Sequence, residues 1–263
     1  MIIKWPGGKK WLYKKHSSLF PISYNNYIEP FFGGGSVFFD LAPKKAQLSD
    51  INPRLISLYV MLKDEPEKLY YETLKLLETH SDAQYYEIRE KFNKEKKDSP
   101  IHFLYLNRTC FNGVYRENLK GEFNVPVGKR NSTYFPFQLS DFLQGALALK
   151  KAQISCCDYL DAMKKAKKGD FIYLDPPYIK YEKDYDAFRK YNERVFSQND
   201  LESLAEIANR LKKKCYILIS NFDVDAVKDL FPDWNYKKIQ QRTYVSGKIS
   251  GRKIVDEALI FNY

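Results

Sequence analysis

Pro176 and Pro177, in succession, close the apolar run Phe171-Ile172-Tyr173-Leu174, and this junction most constrains how the chain can fold. Each proline holds φ at about −65° and lacks a backbone donor, so the run before the pair must end there as a strand. A short run that is apolar at every position reads as a strand buried on both faces. In open α/β sheets the mouth of such a strand is where ligands bind. Asp175 stands at that mouth, the prolines leave carbonyls without a competing local donor, and Tyr178 adds a flat apolar face. Acceptors beside a ring suit a planar aromatic carrying an exocyclic amino group, adenine above all. The alternative for the tetrapeptide alone is a rigid turn after a strand.

The rest of the chain has the alternation of a parallel sheet. Residues 26–30 read as a strand, Phe32-Gly33-Gly34-Gly35 as a glycine turn, and Val37, Phe38 and Leu41 as one face of a helix. A second strand over 45–50 ends in Asp50, and Asn52-Pro53 begins a helical pattern through Ile56 and Tyr59. Strand, helix, strand, helix this early predicts a doubly wound α/β fold. The alternation lapses between 57 and 136, where helical patterns over 67–77 and 84–92 precede a Gly- and Asn-rich segment suited to a β-hairpin. The segment reads as an inserted domain, with 1–56 and 137–263 forming the main one. Beyond it come a helix over 140–149, a strand over 153–156, a helix over 159–166 and the 171–174 strand. A helix over 197–213 opens on the capping box Ser197-Gln198-Asn199-Asp200. A strand over 215–219, a short helix over 224–231 and strands over 236–240 and 255–262 close the chain.

Composition narrows the function class. The net charge of +10 favours a polyanionic partner. Residues 91–136 hold nine Lys or Arg against four acids, and Lys237 to Lys253 holds six and no acid. Asn, Tyr and Phe interleave these cations, a mixture that meets both phosphates and bases, and neither stretch has the amphipathic period of a membrane-surface helix. No apolar stretch approaches a membrane span and no secretory leader is evident, so a cytoplasmic protein is expected. Cys110, Cys156, Cys157 and Cys215 lack zinc-ligand spacing and read as buried or inert thiols. His16, His80 and His102 fall outside every motif and receive no catalytic role.

The glycine turn lets backbone approach a ligand but lacks the last glycine of the dinucleotide fingerprint, which disfavours a nicotinamide enzyme. Asp50 sits where nucleotide-binding α/β folds place a carboxylate on ribose hydroxyls; its alternative is a helix N-cap. Six motifs then occur in order: Lys4-Trp5-x-Gly7-Gly8-Lys9, Glu29-Pro30-Phe31-x-Gly33-x-Gly35-Ser36, Ser49-Asp50-Ile51-Asn52, Leu106-Asn107-Arg108 with Phe111-Asn112-Gly113-x-Tyr115-Arg116, Gly121-Glu122-Phe123-Asn124-Val125-Pro126, and Asp175-Pro176-Pro177-Tyr178. Together they resemble the Dam-type DNA adenine-N6 methyltransferases over nearly the whole chain.

That resemblance implies a Rossmann-like methyltransferase sheet, S-adenosyl-L-methionine as cofactor, double-stranded DNA as substrate and 57–136 as the target-recognition domain. Trp5, Lys9, Asp50 and Asp175 would contact the cofactor, with Phe32, Gly33 and Gly35 lining its amino-acid end. Asp175 and the carbonyl of Pro176, stiffened by Pro177, would accept from the adenine amino group while Tyr178 stacks on the ring, with no metal required. Because that amino group lies inside the duplex, the base must be extruded. Arg116 and Pro126 would contact bases, Asn112 a phosphate and Lys4 the flanking DNA. Tyr115 is either core or a wedge in the vacated stack. Tyr244, Ser246, Lys248 and Arg252 form a basic loop suited to phosphates or simply a solvated hairpin. GATC is the first candidate site, a monomer is expected, and a restriction endonuclease partner stays open. An RNA or other exocyclic-amine methyltransferase and a non-catalytic DNA-binding protein of the same fold are the competing readings.

Overall fold

The computed structural model describes residues 2–95, 99–128, 137–178, 196–222, 225–242 and 254–263. The main sheet takes β1 (Tyr27–Glu29), β2 (Ala46–Asp50), β3 (Ala152–Cys156), β4 (Phe171–Leu174), β5 (Tyr216–Phe222), β6 (Asn235–Arg242) and β7 (Ile254–Phe261). Their order is β3-β2-β1-β4-β5-β7-β6. The ladder is parallel from β3 through β5, while β7 runs antiparallel between β5 and β6. The order reverses between β1 and β4, so a crevice opens at their carboxyl ends. Asp175 follows β4 directly at that point.

β4 has the burial its composition demands. Phe171 and Tyr173 face one core with Tyr27, Leu218 and Leu259, and Ile172 and Leu174 face the other with Ile28, Ile217, Ile219 and Ile260. Alternation of the pleat thus builds two apolar layers from one strand. The first core is covered by α1 (Lys10–His16), α2 (Ser36–Leu41), α3 (Pro53–Asp64) and α7 (Leu139–Leu149). The second is covered by α8 (Tyr159–Lys164), α9 (Gln198–Leu211) and α10 (Asp225–Asp229). The capping box at Ser197 forms in both directions, with Ser197 N–H donating to Asp200 Oδ2 at 2.7 Å and Asp200 N–H to Ser197 Oγ at 3.2 Å.

Between α3 and α7 lie α4 (Pro66–Glu78), α5 (Asp82–Lys94) and α6 (Pro100–Thr109). The first two match the helical patterns in the sequence; α6 and the N-terminal α1 lie where no helix was expected. Every residue of α6 from Phe103 to Thr109 is buried as it packs on α3, α4 and α5. A helix enclosed on all sides has no polar stripe, so no amphipathic period marks it. Residue 57, where the inserted domain was expected to begin, falls inside the continuous α3. The expected hairpin exists as two isolated antiparallel bridges, Cys110↔Val127 and Glu117↔Phe123, joined by a turn at Asn118–Gly121. Cys156, expected to be buried or inert, is exposed. No described helix is long and apolar enough to cross a membrane.

Candidate active site

Three carboxylates end adjacent parallel strands. Glu29 ends β1, Asp50 ends β2 and Asp175 follows β4. Asp50 accepts from Gly33 N–H at 2.9 Å and from Asn52 N–H at 3.0 Å. The cap of α3 is Asn52, whose Oδ1 accepts from Arg54 and Leu55 N–H, so Asp50 is not the N-cap weighed for it. Burial raises the Asp50 carboxyl above its ordinary value, against those backbone donors. The turn it grips needs its glycines: Gly33 has φ +45° and Gly35 φ +65°. A Cβ on Gly33 would lie 2.9 Å from Trp5 Nε1, and one on Gly35 2.6 Å from the Phe32 ring.

A half-open pocket of about 70 Å³ lies beside it, walled by Trp5 to Lys9, Glu29, the glycine turn, Tyr173 and Asp175. Drug-sized ligands fill roughly 300–1,000 Å³, so this volume admits one end of such a molecule. Glu29 is buried there and accepts from Tyr27 Oη–H at 2.8 Å. Burial, then repulsion from Asp175 and Asp50, pushes its carboxyl well above the usual range. Asp175 is pushed up to about 6, by burial first and by Glu257 second among the raising influences, while Lys9 opposes both.

Lys9 lines the same pocket, and its ammonium turns to Asp175, Glu257 and Tyr178. Its Nζ lies 3.6 Å from Asp175 Oδ1, 3.3 Å from Glu257 Oε1 and in hydrogen-bond contact with the Tyr178 hydroxyl. It sits 4.6 Å from the Tyr178 ring centroid, toward the hydroxyl end. The same hydroxyl meets Ser220 Oγ at 3.2 Å. Pro176 is buried and Pro177 exposed.

The residues expected on DNA form a second group beside the cavity. Asn107 clamps the N-terminal loop: its Oδ1 accepts from Lys4 N–H at 2.8 Å, and its Nδ2 donates to Lys4 O at 2.8 Å and to Gly113 O at 3.3 Å. Asn112 takes the left-handed φ of +54° and is exposed. Tyr115 stacks on Trp5 at 5.7 Å, packs against Phe103 and Phe123, and donates its hydroxyl to Glu117. Glu117 also pairs with Arg54 at 3.5 Å. Tyr115 thus packs as its core alternative requires and joins Trp5 of the pocket wall to the hairpin. Arg116 is exposed, and its Nε donates to Asn124 Oδ1 at 2.8 Å. The hairpin's return limb is held by α5: Asn93 exchanges hydrogen bonds with Phe123 N–H at 2.8 Å and C=O at 3.0 Å, and Tyr85 Oη–H reaches Val125 O at 2.8 Å. Pro126 is exposed beside it. Arg252 and the loop residues Tyr244, Ser246 and Lys248 lie outside the described residues, as do Lys96, Lys97, Lys129 and Arg130 of the basic stretch.

Residues 5–245 match the family described as D12 class N6 adenine-specific DNA methyltransferase. The chain belongs to this family. This methyltransferase is 34% identical to the Type II methyltransferase M1.LlaDCHI of Lactococcus lactis subsp. cremoris, with 99% of this chain and 94% of the relative covered. It is 36% identical to the DNA adenine methylase of Serratia marcescens, covering 98% and 96%. It is 34% identical to the Type II methyltransferase M.MjaIII of Methanocaldococcus jannaschii, covering 99% and 98%. Two residues that the methyltransferase brings to the site had no role in the sequence reading. Glu29 carried a local signal, an acid at a strand end before the glycine turn. Glu257 carried none, because its place depends on the direction of β7.

Proposed function

We propose that this methyltransferase moves the methyl group of S-adenosyl-L-methionine to the N6 amino group of an adenine extruded from a short duplex site, GATC being the first candidate. The observation that carries the reading is Asp175, a mostly buried carboxylate raised toward neutrality at the mouth of β4, on the wall of an acid-lined pocket at the point where the strand order reverses. The cofactor fits the chemistry of the wall. Glu29 and Asp175 line the pocket and Asp50 holds its glycine turn, and a ligand with a sulfonium and an ammonium group would favour the ionised forms that burial opposes in all three. When bound, it would supply the electrophilic methyl group. Glu29 and the backbone of the Phe32 to Gly35 turn would hold its amino-acid end, Asp50 its ribose, and Trp5 would wall the pocket.

An adenine amino nitrogen is a weak nucleophile because its lone pair is spread into the ring. Asp175 and the carbonyl of Pro176 accept from its two N–H groups in this reading, which localises the pair and offsets the positive charge that develops on nitrogen until one N–H proton is lost to solvent. Tyr178 holds the ring face, and Pro177 stiffens the loop. The target-recognition unit comprises residues 57–136, with Arg116 and Pro126 reading bases, Asn112 and Arg252 holding phosphates, Lys4 on flanking DNA and Tyr115 supporting the hairpin from Trp5. The enzyme acts as a monomer in the cytoplasm of a prokaryotic cell or a phage-infected host. A restriction endonuclease reading the same site is its candidate partner, in keeping with the Type II names of two relatives. Sequencing methylated bases in DNA from cells expressing the chain tests the reading: N6-methyladenine should appear in one short motif and disappear with Asp175→Ala. N6-methyladenine spread without sequence context, or persistence in the variant, would sink it.

A further inference from the structure

Glu257 reaches the site only because β7 runs antiparallel to its neighbours. Its early residues therefore lie at the edge where the parallel strands end, with Glu257 opposite Phe222 of β5. The pleat turns Glu257 to the face that also carries Leu259, toward the core beneath α1 and α2. There the carboxyl is nearly enclosed. Oε1 lies 3.3 Å from Lys9 Nζ, and Oε2 is buried with no hydrogen-bond partner among the described residues. Lys9 in turn lies 3.6 Å from Asp175 Oδ1 and bonds the Tyr178 hydroxyl. Lys9 Nζ thus donates to Glu257 Oε1 and lies near Asp175 Oδ1 at distances both longer than the usual length of a charged contact, about 2.7–2.9 Å, so one ammonium is shared between two carboxylates. Its backbone is fixed as well, since Lys9 N–H donates to Ser36 Oγ at 2.9 Å.

Resting on the reading of Asp175 as acceptor for the adenine amino group, we infer that Glu257 is a positioning residue that, through Lys9, sets the orientation and ionisation of Asp175 for methyl transfer. The acceptor must be ionised, because a protonated carboxyl turns an O–H toward the amino group. It must also stay basic, because a weaker acceptor draws less on the N–H bond. The groups facing Asp175 divide on these demands. Lys9 from the N-terminal loop is the cation; Glu257 from β7 and Glu29 from β1 are the acids; Tyr173 of β4 and Tyr178 of the following loop are phenols. Lys9 favours the ionised form of Asp175 and Glu257 opposes it. Glu257 therefore keeps Asp175 basic directly, and by drawing on Lys9 prevents a tight pair that would occupy both Asp175 oxygens.

The test is the pH dependence of kcat/KM on the cognate duplex, at saturating S-adenosylmethionine and constant ionic strength, for wild type, Glu257→Gln and Lys9→Met. In Glu257→Gln the acid limb should move down by about one pH unit and the plateau fall several-fold. In Lys9→Met the acid limb should move up by a similar amount. Opposite displacements support the assignment. Should Lys9→Met fail to fold, Glu257→Gln decides alone. A Glu257→Gln limb that superimposes on wild type or moves up makes Glu257 a structural counter-ion and overturns the inference. If the wild type itself methylates no adenine, the proposed function has failed, a different result from wild-type methylation with unmoved limbs.

Discussion

Replacing Asp175 by asparagine should stabilise this methyltransferase at neutral pH while abolishing methyl transfer. The substitution keeps the side chain's size and an oxygen for Lys9, and removes one buried negative charge. The magnitude follows from the carboxyl's displacement from its ordinary 3.8 to about 6. Each pH unit is worth about 1.4 kcal/mol, which sets a ceiling of about 3 kcal/mol. The Asp175 side chain keeps 20% of its surface exposed, so water tempers the penalty and about 1–3 kcal/mol is the expected gain. The sign follows from linkage. The folded value is raised, so ionisation disfavours folding: the penalty is absent below pH about 4, grows through pH about 6 and is complete above it. Urea melts of both proteins, without cofactor or DNA, should diverge at pH 8 and converge toward pH 4. At roughly 2 °C per kcal/mol for a chain of this size, the thermal shift at pH 8 should reach about 2–6 °C. A variant that is equally stable or less stable at pH 8 would show that Asp175 is not strained by burial, and would remove the argument that a destabilising carboxylate is kept there for chemistry.

Asp50→Ala should raise the S-adenosylmethionine dissociation constant measured by calorimetry, and an unchanged constant would leave Asp50 only its bonds to Gly33 and Asn52. Arg116→Ala should lose about 1–3 kcal/mol of discrimination at one base pair, while Lys120→Ala slows cognate and variant sites alike; equal slowing of all duplexes by Arg116→Ala would make the arginine structural. Asn93→Ala strands the Phe123 N–H and C=O and should cost about 1–3 kcal/mol, with hydrogen exchange accelerated at Phe123 and unaltered in β4; unaltered protection at Phe123 would refute the pinning of the hairpin by α5. A duplex with 2-aminopurine at the target position should brighten on binding, and a steady signal would leave base extrusion unsupported.

The parts of this protein legible in its sequence are those specified by neighbours along the chain. Phe171 to Leu174 is a strand buried on both faces because every residue in it is apolar, and two prolines end it. Gly33 and Gly35 announce a turn because glycine adopts positive φ at least cost. Ser197 and Asp200 announce a helix start because their side chains satisfy each other's backbone donors. α6 was invisible because burial on every side erases the amphipathic period, and the N-terminal α1 lay outside every pattern. The sequence also set Asp175 at a strand mouth, but its surroundings were decided elsewhere. Lys9, Asp175 and Glu257 belong to an N-terminal loop, the end of β4 and the start of β7, and only the strand order and the reversed direction of β7 bring them within 3.6 Å of a shared ammonium. Propensity, capping and turn chemistry act over a few residues, whereas charge and desolvation act through space. The identity of the site was therefore written locally, and the ionisation of its carboxylate was decided by the packed sheet.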